Sequence, residues 1–405
     1  MKVLIVSDTY LPLVSGNVIV VDQTARELAK AGHEVFLVVP GTSFRSKIDR
    51  LGPNLTVFFV RAFKNPLRFD SHFSFVSLTA WQFIHQVAPD VIHLHTPGPL
   101  GLTARRYGIK TQTPLVITVH GMPSFLLSYL KLKDDWAGGL FNTLGWAIWR
   151  WFLKPAKAVI APSQFVKDQL RRYQVKNHLC ILPFWIKRDL RLLEKIKRHP
   201  PKSCCLKSDS RLAFLYYGRL DQDKNLKLLF KAWANSSLAQ AQAKLFLVGK
   251  GKQRQEFESL VKKLTLTKSI KFLGMVPDAT YRQLGFESEK KACVMEWLFD
   301  QADVFVTPSN IETQSITTYL AYLFGLPIIG SSQGALPEIV KRTPYPKLLF
   351  QANNQKDLQA KLEQVIKNRT FYLKYRPDPI IAKQYSQTEV INRLTQIYRL
   401  VISSL

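Results

Sequence analysis

At 405 residues the chain is too long for one ordinary hydrophobic core, and two domains of roughly 200 residues each are expected. Its 46% hydrophobic and 21% charged residues are those of a globular rather than a disordered chain. A net charge of +28 calls for an acidic partner: nucleic acid, an anionic membrane surface or a phosphorylated substrate.

The chain opens MKVLIVSD, whose apolar run is too short for a secretory signal. Cys180, Cys204, Cys205 and Cys293 have neither metal-ligand nor redox spacing and read as free thiols of a reducing compartment. The uncharged stretches Thr111–Leu130 and Thr313–Pro337 are broken by Gly or Pro and rich in hydroxyl and amide groups. No membrane-spanning helix is therefore expected.

In chain order, Val3–Val6 predicts a buried strand, and Asp8-Thr9-Tyr10-Leu11-Pro12 with Ser15-Gly16 predicts a loop. Val21, Ala25 and Leu28 mark a helix that ends at Gly32, and Val35–Val39 is the next strand. This opening is that of a parallel, nucleotide-binding type of sheet. The GxGxxG fingerprint is absent, so a dinucleotide cofactor is not indicated. Gly16 either lets a phosphate approach the backbone or only makes a turn. Strands follow at Val57–Val60, Val91–Leu94, Leu115–Val119 and Ala158–Ile160. His93 and His95 sit at one strand end, and His120-Gly121 at another. No third ligand stands at a suitable spacing, so no metal is expected. His120 is the better placed for chemistry.

Two segments interleave aromatic and basic residues. Phe58–Phe75 carries Arg61, Phe63, Lys64, Arg68 and Phe69; Tyr129–Trp151 carries Lys131, Lys133, Trp146, Trp149 and Arg150. Such segments suit an anionic membrane interface, where basic side chains contribute roughly 1 kcal/mol each. The helical spacing of Trp146, Trp149 and Phe152 equally fits core packing, and single-stranded nucleic acid is bound by the same residue types.

Lys187–Ser210 is basic, contains Pro200-Pro201 and reads as an interdomain linker. A second α/β series follows. Ala213–Tyr217 is a strand, Gly218–Asn225 a loop, and Leu228, Leu229, Ala232 and Trp233 lie on a helix. Leu245–Val248 and Ile270–Leu273 are strands, the first followed by Gly249-Lys250-Gly251. Arg219 and Lys224 flank a loop at a strand end, either clamping a diphosphate or standing as solvated charges. Ala302–Glu338 then reads strand, loop, helix, strand, loop. Glu312, Thr313, Gln314 and Ser315 sit at the mouth of that helix and the carboxyl end of a strand, where open α/β sheets bind ligands. Free N–H groups there favour an anion. A buried αβ unit with polar caps explains the same pattern. The chain closes with the capping box Ser386-Gln-Thr-Glu389 and an amphipathic helix carrying Val390, Leu394, Ile397 and Val401.

Taken in order, these motifs carry a resemblance. Asp8–Pro12, His93-Leu94-His95, Val119-His120-Gly121, Ala161-Pro162-Ser163, Gly218-Arg219-Leu220, Lys224-Asn225, Leu247-Val248-Gly249, Ala302–Phe305, Pro308-Ser309 with Glu312, and Gly325-x-Pro327 resemble the retaining glycosyltransferases of family 4. Glu312-Thr313-Gln314 and the Asp8–Pro12 opening are most similar to the membrane-associated members that glycosylate diacylglycerol. The resemblance implies an α/β protein of the GT-B fold, two Rossmann-like domains with parallel sheets facing across a cleft. Residues 1–186 would form the acceptor- and membrane-facing domain, 187–210 the linker and 211–384 the nucleotide-sugar domain. Residues 385–405 would form a terminal helix returning to the first domain.

The resemblance further implies that a hexose passes from a UDP- or GDP-linked donor to a diacylglycerol-type lipid, with retention and with neither metal nor other cofactor. Arg219 and Lys224 would bind the diphosphate, Glu312 the sugar hydroxyls, and the N–H groups of Gln314 and Ser315 the phosphate. Thr313, Gly218 and Gly249 would complete the donor site. Gly16 would give the first domain's loop room to approach the donor, and His120 would stand beside the reacting sugar. Arg61, Phe63, Lys64, Arg68, Phe69, Trp146, Trp149 and Arg150 would face the membrane and acceptor. The implied protein is a cytoplasmic monomer, peripheral on the inner face of the membrane, and nucleic acid is not a partner. A soluble saccharide acceptor and a degenerate, non-catalytic binding protein are the alternatives. This chain departs from the family pattern in four places. Leu320 stands where a second glutamate is usual, Ser15-Gly16 replaces a glycine pair, Pro183-Phe184-Trp185 replaces Pro-Asn-Gly, and the stretch containing Glu287–Phe299 is longer than usual.

Overall fold

The strands are apolar on both faces, as a parallel sheet covered by helices requires. The first strand, β1 (Lys2–Val6), sends Val3 and Ile5 into one core and Leu4 and Val6 into another. The structure, a computed structural model, describes every residue except 14, 66–67, 124–135, 186–189, 199–204, 208, 277–293, 375–384 and 405, and omits the side chains of 68–71, 136–137 and 190–192. The chain divides into two compact units, Met1–Trp185 with Gln387–Leu405, and Ile186–Ser386.

In the first unit, β1 is joined by β2 (Glu34–Pro40), β3 (Lys47–Gly52) and β4 (Leu55–Val60). A separate antiparallel hairpin, β5 (Phe63–Asn65) and β6 (Arg68–Phe73), follows. The main sheet continues with β7 (Val91–Leu94), β8 (Leu115–Thr118), β9 (Ala158–Ala161) and β10 (His178–Ile181). Its order is β10-β9-β8-β7-β1-β2-β4-β3, parallel throughout except that β3 runs antiparallel to β4. The flanking helices include α1 (Gly16–Lys30), α2 (Leu78–Val87), α3 (Pro99–Thr111), α4 (Trp136–Leu153) and α5 (Gln164–Arg172). Gly16 opens α1 directly after the Ser15 cap, whose hydroxyl accepts from Val18 N at 3.4 Å, so it is a helical residue and not a turn glycine.

The second unit contains β11 (Leu212–Tyr217), β12 (Ala243–Val248), β13 (Ile270–Gly274), β14 (Val304–Thr307), β15 (Ile328–Ser331) and β16 (Leu349–Phe350). Their order, β13-β12-β11-β14-β15-β16, is parallel and reverses direction between β11 and β14, the doubly wound arrangement of dinucleotide-binding sheets. Its helices include α6 (Leu190–Arg198), α7 (Leu226–Ala234), α8 (Arg254–Lys263), α9 (Met295–Gln301), α10 (Ile316–Leu323), α11 (Leu336–Val340) and α12 (Gln355–Lys367). The terminal helix α13 (Gln387–Ser403) belongs to the first unit, where Val390, Ile391, Leu394, Tyr398 and Val401 enter a core with Val3 and Ile5.

The stretch 187–210 is not a bare linker. It contains α6, whose Leu193 is buried in the second unit's core and whose Lys197 pairs with Asp300 at 3.0 Å. Leu206 is buried there as well. The density of Lys and Arg concealed a short amphipathic helix. Leu320 lies on α10 and is fully buried in the same core, so its methyl groups fill space between helix and sheet.

Candidate functional site

Each sheet reverses its winding at one point, and loops from the two flanking strands meet there. In the first unit those loops follow β1 and β7, and Asp8 closes the gap between them. Its carboxylate accepts from Leu100 N at 2.7 Å, Gly101 N at 3.2 Å and Thr96 Oγ1 at 2.7 Å. The start of α3, a natural anion position, is thus filled by the chain's own carboxylate. A Cβ on Gly98 would stand 2.5 Å from Asp8 Cγ, which explains the glycine beside it. Burial pushes the Asp8 carboxyl above its usual range, against the hydrogen bonds from Thr96 and Leu100.

The second unit's reversal point holds charges of both signs. The loop after β11 supplies Arg219, Asp221, Asp223 and Lys224, and the loop after β14 supplies Glu312. Arg219 donates through one terminal nitrogen to Asp221 and through the other to Asp223 at 2.8 Å. Lys224 Nζ lies 2.8 Å from Glu312 Oε1 and 3.4 Å from Asp223 Oδ2. Burial alone would lower the Lys224 ammonium, but Glu312 and Asp223 outweigh it and hold it above its ordinary value. Arg219, Lys224 and Glu312, expected from the sequence to share a site, are therefore brought together within one unit. Asp221 and Asp223, which bind the two cations, were not singled out from the sequence. Their alternation with Arg219 and Lys224 in Arg-x-Asp-x-Asp-Lys was the available signal.

Glycines set the walls of this site. Gly249 adopts φ +139°, and a Cβ there would stand 1.9 Å from the carbonyl oxygen of Gly218. The loops after β11 and β12 thus pack backbone to backbone, fixed by Leu220 N donating to Lys250 O at 2.9 Å. Gly334, not foreseen, adopts φ +66°, and its Cβ would stand 2.9 Å from the oxygen and 3.0 Å from the nitrogen of Glu312. Next to it, Ala335 N donates to Glu312 O at 3.0 Å. Ser315 caps α10, accepting from Thr318 N at 3.4 Å; Gln314 and Ser315 are buried and Thr313 half-buried.

His120 belongs to the first unit, just beyond β8. Its Nε2 lies 2.7 Å from His95 Nδ1, and its ring stacks on Phe184 at 5.0 Å. His95 Nε2 is buried without a partner among the described residues. One of the two facing nitrogens, His95 Nδ1 or His120 Nε2, carries the proton that they share. Burial holds His95 neutral, with its pKa lowered to about 3. His120 is also depressed well below its ordinary value, by burial and then by His95. His93 Nδ1 meets Tyr398 Oη on α13 at 2.6 Å, and its Nε2 meets Thr118 Oγ1 at 2.7 Å.

The residues expected at a membrane are divided. Arg61 and Lys64 are exposed, and Phe63 on β5 packs against Phe44 and Phe75 with ring centres 5.1 Å and 5.5 Å apart. Arg68 and Phe69 lie on β6, but their side chains, like residues 129, 131 and 133, are outside the described residues. Trp146 is a correction. It is 1% exposed and stacks on Tyr173 at 4.1 Å, so its ring is core and not membrane-facing. Trp149 is half-buried against the same core, and Arg150 donates to Tyr173 O at 3.4 Å. Among the described residues no helix is long and apolar enough to cross a membrane.

Two Rossmann-like units, the second with its charged loops at the reversal point, agree with the family models and shared folds that identify a glycosyltransferase of the GT-B fold. Residues 14–189 match the model of glycosyltransferase family 4, and residues 206–380 match that of glycosyl transferases group 1. The chain belongs to family 4. It is 24% identical over 367 residues to the alpha-monoglucosyldiacylglycerol synthase of Streptococcus pneumoniae, covering 86% of this chain and 75% of that one. It is 25% identical over 339 residues to the Acholeplasma laidlawii enzyme of the same name, covering 81% and 80%. A sucrose-phosphate synthase structure from Thermosynechococcus elongatus shares the fold at TM-score 0.74 and 18% identity, each chain fully covered.

Proposed function

We propose that this glycosyltransferase moves a hexosyl group from a UDP- or GDP-linked donor to a diacylglycerol-type lipid, with retention and without a metal. The observation that carries the donor half is the meeting of Lys224 with Glu312 where the second sheet reverses, beside Arg219. Arg219 and Lys224 stabilise the departing diphosphate as fixed cations. Three carboxylates hold the two cations in place before any ligand arrives. Arg219 has five N–H donors, enough to keep Asp223 and also grip a phosphate oxygen. Glu312 accepts from sugar hydroxyls, and the start of α10 faces the phosphate. The sugar C1–O bond to the diphosphate breaks as the acceptor oxygen bonds C1 on the same face. The acceptor's proton passes to the leaving phosphate oxygen, so no enzyme nucleophile is needed. With carboxylate absent at position 320, the ribose hydroxyls are held by other groups.

The lipid acceptor is supported by the two curated relatives, which are named for diacylglycerol glycosylation. It is supported too by the net charge of +28, suited to the anionic inner face of a membrane, where the chain would work as a peripheral monomer. A soluble saccharide acceptor is the second reading, favoured by the fold shared with a sucrose-phosphate synthase. The test is to incubate the purified chain with labelled nucleotide-sugars, mixed lipid vesicles and a chelator, then determine the anomeric configuration of the product. An α-linked glycolipid from an α-linked donor is expected. Transfer only to soluble sugars would favour the second reading, and an inverted product would remove the same-face mechanism.

A further inference from the structure

The two sides of α4 face different surroundings. Trp146, Phe152 and Leu153 enter the core, while Leu140, Leu144, Ile148 and Trp151 are 53%, 55%, 63% and 54% exposed. Their spacing puts these four on one stripe of the helix. Between them, Gly139, Thr143 and Ala147 are exposed and uncharged as well. A solvent-facing stripe of this length without one charge marks an interaction surface.

The border of the stripe indicates what covers it. Arg105 on α3 stands 4.1 Å over the Trp151 ring and donates to the carbonyls of Trp151 and Phe152 at 2.8 Å and 3.0 Å. Arg106 and Lys110 on α3 are exposed, as are Lys154 and Lys157 just beyond α4. Neither α3, α4 nor the segment 154–157 contains an Asp or Glu. An apolar stripe ending in an indole, with Arg and Lys and no carboxylate on α3 and just past its carboxyl end, has the chemistry of an interfacial helix on anionic lipid.

We propose that this stripe docks the chain on an anionic bilayer, with Leu140, Leu144 and Ile148 entering the acyl boundary and the basic border meeting headgroups. The docking gives the lipid-acceptor reading its purpose and rests on that reading only in this respect, because vesicle binding needs no sugar transfer. It keeps the sequence expectation that this helix meets a membrane but moves the contact to the side opposite Trp146, whose ring faces inward.

Flotation of the full chain with vesicles of phosphatidylcholine, alone or mixed with phosphatidylglycerol, tests it. The wild type is expected to float with the mixed vesicles, and less so at high salt. The double variant L144E/I148E should lower the partition coefficient by at least ~10-fold. L400E, at an exposed site on α13, should leave it unchanged. A double variant that floats as well as the wild type overturns the proposal, as does a wild type that never floats. A lipid-free dimer dissolved by L144E/I148E would assign the stripe to a second copy and overturn it too. Transfer to a detergent-dispersed lipid acceptor, measured in parallel, separates the two readings. It persists in L144E/I148E if only docking is lost, and is missing from the wild type if the acceptor assignment is wrong.

Discussion

Lys224 Nζ sits 2.8 Å from Glu312 Oε1, an ion pair between loops 88 residues apart, and each side chain is only 14% exposed. Removing Lys224 leaves Glu312 without a counter-ion and Asp223 with Arg219 alone in a half-dry site, so K224M should cost about 3 kcal/mol of stability. Turnover should fall about 100-fold or more if the ammonium also stabilises leaving-group charge. The double variant K224M/E312L restores charge balance and should recover much of the lost unfolding temperature while remaining inactive. Calorimetry alongside a transfer assay separates the two effects. Recovery of both stability and activity would reduce the pair to a structural contact.

Gly334 governs the same carboxylate from behind. Its φ of +66° disfavours any L side chain, and a Cβ would press on the Glu312 main chain at 2.9 Å. G334A should therefore cost about 1–2 kcal/mol of stability. It should also slow transfer by about 10-fold or more through displacement of Glu312. Unchanged turnover with lowered stability would show that the loop absorbs the methyl group without moving Glu312.

The central strands of both sheets were legible because parallel strands covered on both faces leave unbroken apolar runs, as at Val3–Val6 and Val304–Val306, whereas the edge strands β3, β10 and β16 lack such runs and were missed. The donor-side cluster was legible for a related reason. Loops at strand ends are punctuated by Gly and Pro, and Arg219, Lys224 and Glu312 stood beside that punctuation. What escaped were features whose meaning is three-dimensional. Residue type does not tell which face of a Trp-rich helix packs inward, and α4 buries Trp146 while exposing Leu144. The lysines around α6 hid the helical spacing of Leu193 and Ile196. Gly334, at positive φ, packs against Glu312, which lies 22 residues earlier in the chain, and no local pattern announces that contact.

Trp146 gives a direct measure of that error. W146A should lower the stability of the first unit by about 3–5 kcal/mol, the cost of truncating a buried aromatic side chain. Flotation per folded molecule should match the wild type at low temperature. A variant that keeps its unfolding midpoint but loses vesicle binding would return the indole to the membrane-facing side.

The histidines of the first unit set its acid stability. In the unfolded chain, imidazoles take up protons below about pH 6.5. In the fold, burial holds His95 neutral down to about 3, and burial followed by neighbouring histidines depresses His93 and His120 well below their ordinary value. Through that window the unfolded state binds more protons, so stability is full above pH 6.5 and is lost as pH falls. The slope is about 1.4 kcal/mol per pH unit for each imidazole withheld from protonation. Asp8 acts in the opposite sense. Its raised pKa lets the fold bind a proton more readily above the unfolded value of 3.8, so its contribution is present at low pH and disappears as pH rises through the folded value. Three histidines outweigh one carboxyl, and the urea midpoint should fall steadily from pH 7 to pH 5. H95N removes one titrating ring and can still hydrogen-bond to His120, so its midpoint should fall less steeply. A wild-type midpoint that stays level over this range would mean that the rings titrate as they do in the unfolded chain, and that burial does not keep them neutral.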